Sequence, residues 1–173
     1  MSKPEIVVFQ LQRESFLFLG IENEIIGAIE EADFVSIWST FFEVGGFDEI
    51  RPFQLENHPP MVIYHKNGGD NLVYFIGSIV GEMSEIPDGY TVRRFPACEF
   101  LVITTEWLPT EEDALGEDGL GQCGKYEKNV EIPSGYIRYD GAESQLMLIE
   151  RENFNTKDGS RYEFWVPIKK IDS

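Results

Sequence analysis

Glu150 stands in the run Leu146-Met147-Leu148-Ile149-Glu150-Arg151-Glu152. In a strand, alternation puts Leu146, Leu148, Glu150 and Glu152 on one face and Met147, Ile149 and Arg151 on the other. A carboxylate sharing a face with two leucines loses part of its hydration. Burying a lone anion costs several kcal/mol unless a partner compensates it. A bound organic cation is one such partner, and aromatic walls add cation–π attraction of about 0.5–2 kcal/mol each. The aromatic residues chosen as walls are Trp38, Tyr64, Trp107, Tyr136 and Trp165. Such a site rewards charge and flatness more than shape, so it admits varied ligands. On residue type alone the commoner outcome is plainer: Glu150 pairs with a lysine or arginine, or sits at the strand's wet end. Glu152 is the second candidate for the cation-facing role.

Other chemistries find little support. The sequence contains no G-x-S-x-G elbow and no phosphate-binding P-loop, and the one G-x-G-x-x-G spacing, Gly119 to Gly124, lacks the strand that a dinucleotide fingerprint follows. The glycine-rich run Gly119-Leu120-Gly121-Gln122-Cys123-Gly124 follows no strand and lacks a lysine–serine pair, so it reads as a loop or a cover over a cleft. No catalytic residue and no cofactor are assigned. His58 and His65 are the only histidines, with no cysteine nearby, which argues against a zinc site. Two cysteines, Cys98 and Cys123, are too few for a disulfide framework.

Charge narrows the partners. With 31 acidic and 14 basic residues the net charge is −17. A nucleic-acid surface needs a basic face, and an anionic membrane repels an acidic protein. No apolar stretch of about 20 residues spans a bilayer, and the start Met-Ser-Lys-Pro-Glu-Ile has no signal-peptide pattern. The expectation is a cytoplasmic, reduced protein that meets neither nucleic acid nor membrane directly.

The elements that must position Glu150 come in two copies. Glu14-Ser15-Phe16-Leu17-Phe18-Leu19 reads like Cys98-Glu99-Phe100-Leu101-Val102-Ile103, and Tyr74-Phe75-Ile76 reads like Tyr162-Glu163-Phe164. The same order at offsets of 84 and 88 residues points to a duplicated unit. The halves cover about 4–86 and 87–171 of one domain, and clefts between halves are where small ligands sit. Phe34, Ile37, Trp38, Phe41 and Phe42 fall on one face of an amphipathic helix, capped by Asp33 and stopped by Gly45-Gly46. Trp38 on that apolar face packs in the core or meets ligand. Strand-like runs cover Ile6–Phe9, Phe16–Leu19, Met61–Tyr64, Leu72–Val80, Tyr90–Arg93, Phe100–Thr105, Gln145–Glu150 and Arg161–Lys169. The repeat asks for a second helix, placed around 118–130.

Gly89-Tyr90-Thr91-Val92, then Phe95-Pro96-Ala97, then the closing Tyr162-Glu163-Phe164-Trp165-Val166-Pro167-Ile168-Lys169 resemble the GyrI-like effector-binding domain, also called the AraC-type bacterial transcription activator effector-binding domain. The resemblance spans roughly residues 4–170. It implies an α+β fold: duplicated βαββ units, a pseudo-two-fold antiparallel sheet with helices on one side, and a ligand cleft between the halves. It implies binding of varied, often cationic and aromatic, small molecules, with a glutamate on the strand after the second helix facing the cation. That places Glu150 ahead of its plainer alternatives. The family pattern often has a tyrosine two residues later, where this sequence has Glu152.

Most members carry the domain behind a helix-turn-helix. Here Met1 to Pro4 precede the first strand, so the expectation is a drug- or effector-sensing or sequestering module without its own DNA-binding segment. It would work as a homodimer or beside a separate regulator protein. Two other functions stay open: an acidic inhibitor of a DNA-binding enzyme such as gyrase, and a small-molecule hydrolase on the same fold. Pro167 in the last strand requires an edge or a bulge, because it cannot donate to a ladder.

Overall fold

The computed structural model describes residues 3–55, 59–66, 70–139 and 146–171. His58 and Gln145 lie outside the described residues. Nine strands form one antiparallel sheet among them: β1 (Ile6–Arg13), β2 (Phe16–Ile25), β3 (Met61–His65), β4 (Leu72–Val80), β5 (Thr91–Phe95), β6 (Cys98–Thr105), β7 (Tyr136–Arg138), β8 (Leu146–Thr156) and β9 (Gly159–Lys170). The spatial order is β1-β6-β9-β8-β3-β4-β2-β5, with β7 also paired to β9. That order reads alike from either end. Each half's first strand crosses over: β1 pairs with β6, and β5 with β2. The seam is the β3–β8 pair.

The register sharpens the repeat. Tyr64 lies opposite Tyr74 in the first hairpin, and Glu152 opposite Tyr162 in the second. Both members are shifted by 88 residues. The same shift takes Val62 to Glu150, and these two face each other across the seam. Glu150 therefore sits on the pseudo-two-fold axis.

Helix α1 (Phe34–Val44) follows its apolar stripe, starts where Asp33 accepts a hydrogen bond from the Ser36 amide, and ends at Gly45 with φ 147°. The second helical region is longer and more broken than the expected 118–130. It consists of α2 (Glu111–Leu115), a π-helical turn over Glu117–Gly121, and α3 (Gln122–Lys128). One of the glycines that make it look like a loop has a packing reason. A Cβ on Gly119 would collide with the Ala114 carbonyl, so only glycine lets the chain turn so tightly there.

Both helical regions cover one face. Val62, Glu150 and Phe164 lie in register on adjacent strands and so share a face. Val62 belongs to the cluster that includes Phe34, Ile37, Trp38 and Phe41 of α1, and Phe164 to the cluster that includes Cys123 of α3. The other face has its own core of Phe16, Phe18, Ile63, Phe75, Phe95, Phe100 and Trp165. Leu11 of β1 packs on that core with Phe95 of β5. These strands end the sheet on opposite sides, so the sheet curls on itself. Gly20 faces Gly77 across β2 and β4, and neither position has room for a Cβ; glycine there suits a bent strand.

Pro167 meets its requirement. Its carbonyl accepts from the Tyr139 amide at 2.7 Å, so its nitrogen points the same way, toward the gap where β8 stops and β7 begins along β9. Both cysteines are buried, and burial pushes their thiols up to about 11 (Cys98) and about 12 (Cys123). Among the described residues no helix is long and apolar enough to cross a membrane.

Candidate functional site

β8 and β3 bring Glu150 beside Tyr64. The Tyr64 hydroxyl donates to Glu150 Oε2 at 2.9 Å. Tyr64 packs edge-on against Tyr74, with ring centroids 5.3 Å apart. The Trp38 indole N–H donates to the Tyr74 hydroxyl at 3.2 Å, and Phe34 lies 5.0 Å from the Tyr74 ring. Tyr162 faces the carboxylate from β9, with Phe154 and Phe164 beside it. The result is an acid in an aromatic box whose walls come from α1 and from strands of both halves.

The electrostatics follow from that enclosure. Desolvation drives the Glu150 pKa up to about 7, against the opposing pull of the Tyr64 and Tyr162 hydroxyls. The neighbouring Glu127 and Glu152 charges push it the same way as burial. Burial and the Glu150 charge likewise raise Tyr64, Tyr74 and Tyr162 far above the ordinary phenol range, so they remain hydroxyl donors. Glu127 is held by Arg138. No described lysine, arginine or histidine pairs with Glu150 or Glu152. Glu152 too is raised to about 7, by burial first and then by Glu111. Among the described residues no group of three metal-ligating side chains forms a metal site.

A hollow of about 570 Å³ lies between the halves at the Glu152 end. Gln54, Pro59 and Pro60 line it from one half, and Glu111, Glu152 and Phe154 from the other. A second, of about 720 Å³, adjoins it through Glu111 and Asn155. Glu150 lines neither; it lies deeper along the same strand face.

No family model and no curated protein matches the sequence. Solved structures match the fold. SAV2435 bound to tetraphenylphosphonium aligns with a TM-score of 0.71 at 12% identity, over 94% of this chain and 94% of that one. The EcmrR C-terminal domain aligns at 0.55 and 12% identity, over 97% and 99%. EcmrR in its DNA complex aligns at 0.60 and 13% identity, over 96% of this chain and 58% of that chain. The fold is that of the GyrI-like effector-binding domains.

Within this GyrI-like fold the expected wall residues separate. Glu150, Glu152, Tyr64 and Trp38 are brought together. Trp165 is not: it lies on the opposite face of β9, packs with its ring 5.4 Å from that of Phe100 and donates its N–H to Glu163. Trp107 sits on that far side too, under the Arg161 guanidinium at 4.1 Å. Tyr136 is on the helix-covered face but at its end, where it faces Glu99. Tyr74, Tyr162, Phe34 and Phe154 complete the box and were missed by the sequence reading. The repeat held a signal for two of them, since Tyr74 and Tyr162 are corresponding positions in its second matching segment.

Proposed function

We propose that the chain is a binding module for amphiphilic, cationic aromatic compounds, used to sense or sequester them and to report to a separate regulator. One observation carries this reading: a half-buried carboxylate, Glu150, is held by tyrosine hydroxyls and lacks a basic partner among the described residues. Hydroxyls orient the anion without neutralising it. The charge is left for something from outside, and an aromatic enclosure selects a flat or bulky organic cation over a hydrated metal ion. The tetraphenylphosphonium bound by SAV2435, which shares this fold, is a ligand of that class. The open approach is the hollow at Glu152, from which a ligand passes inward along β8.

The site supports binding rather than catalysis. Glu150 is surrounded by hydroxyls that stay protonated, and among the described residues the other titrating groups acting on it are acids, Glu127 and Glu152. The test is quenching of tryptophan fluorescence by tetraphenylphosphonium. Micromolar saturation in the parent chain and loss of at least about tenfold in affinity with Glu150→Gln support the reading. Absence of saturable quenching by a folded chain contradicts it.

A further inference from the structure

Glu150 has a companion of the same kind. Glu152 lies two residues further along β8 on the same face, about 7 Å away along the strand. It forms part of the wall of the 570 Å³ hollow, with Glu111 across from it. Three other sheltered carboxylates are neutralised. Glu127 is held by Arg138, Glu163 by Arg151 and Arg161, and Glu22 by Arg93 with His65 nearby. Glu152 has no such base among the described residues, and Glu111 is met by the Asn155 amide alone, at 3.2 Å. The pseudo-symmetric position in the other half is Tyr64, a neutral hydroxyl donor, so the duplicated frame does not itself require an acid there.

We propose that this site takes aromatic dications, with one positive centre against Glu150 in the tyrosine box and the second against Glu152 and Glu111 in the hollow. The proposal rests on the cation-binding reading and narrows it. A monocation at Glu150 leaves Glu152 desolvated and uncompensated. A ligand with two charges separated by about two strand residues, ~7 Å, satisfies both carboxylates and relieves their mutual repulsion.

Ethidium and propidium make a matched pair: one phenanthridinium ring system, one or two positive charges. Both are titrated into the full chain by calorimetry at pH 8 and physiological salt. The expected result is propidium bound at least tenfold more tightly than ethidium. Glu152→Gln removes that preference by weakening propidium more than ethidium. Glu30→Gln, an exposed acid that lines neither hollow, leaves the preference in place, which separates the site from the general field of a −17 protein. Thermal melts check that each variant folds. Ethidium binding without a propidium preference, or a preference that survives Glu152→Gln, overturns the dication proposal alone. Binding of neither dye overturns the cation reading as well.

Discussion

The Tyr64 hydroxyl and the Glu150 carboxylate meet at 2.9 Å across the seam between the two halves. That contact sets how the acid behaves. A donor to a carboxylate favours the ionised form and partly offsets desolvation, which holds Glu150 at about 7. Tyr64→Phe removes the donor, and Glu150 then takes up a proton more readily. The expected outcome is a cation-affinity curve whose midpoint moves up by about one pH unit. Affinity for tetraphenylphosphonium at pH 7 falls several-fold and recovers by pH 9. Titrations from pH 6 to 9 check this. An equal loss at every pH would assign Tyr64 a packing role only.

Stability of the free chain should show the opposite slope. Glu150 and Glu152 titrate higher in the folded state than in the unfolded chain, where the ordinary value is 4.5. The folded state therefore binds these protons more tightly. Their contribution is fully present below about pH 4.5 and is lost as pH rises through about 7. The melting temperature should fall across that window. Each group accounts for an order of 2 kcal/mol. Glu150→Gln and Glu152→Gln should each flatten the fall. A bound cation should restore stability at pH 8, and binding at pH 7 should release protons, seen as a heat that varies with buffer ionisation enthalpy.

Much of this site was legible in residue order, and the parts that were not share a cause. Alternation along β8 correctly grouped Leu148, Glu150 and Glu152 but wrongly put Leu146 with them: a register shift opposite Tyr64 and His65 turns Leu146 into the other core, beside Ile149; the 3.6-residue stripe located Trp38. β9 defeated the same method. Tyr162 through Ile168 are buried on both faces, so no polar–apolar alternation marks which side faces the ligand. Trp165 was placed among the walls although it serves the opposite core. Which residue faces which across β3, β8 and β9 depends on long-range pairing, which local pattern does not encode. The second helix was obscured by its glycines, of which Gly119 answers a close backbone approach at Ala114.

The three tryptophans offer a direct check of the face assignment. Trp38 is hydrogen-bonded to the wall of the box, while Trp107 and Trp165 lie under arginines on the other side of the sheet. Trp38→Phe should abolish most of the ligand-dependent quenching and lower affinity only a few-fold. Trp107→Phe should leave the ligand-dependent change intact. Quenching carried by Trp107 or Trp165 would place the ligand on the wrong face.

Glu163 separates stability from binding. It is 2% exposed and tied to Arg151, Arg161, Asn153 and the Trp165 indole on the face opposite Glu150. Glu163→Gln leaves two partly buried guanidinium groups without their counter-charge, at a cost of about 3–5 kcal/mol. The melting temperature should drop markedly at pH 7, while the folded fraction keeps its tetraphenylphosphonium affinity within about twofold.

The central claim is that charge, and not merely grease, draws the ligand to Glu150. Tetraphenylphosphonium and tetraphenylborate have nearly the same size and shape and opposite charge. Calorimetric titration of both at pH 8, where Glu150 is ionised, should give micromolar binding of the cation and none of the anion. Equal binding of the two would contradict the account.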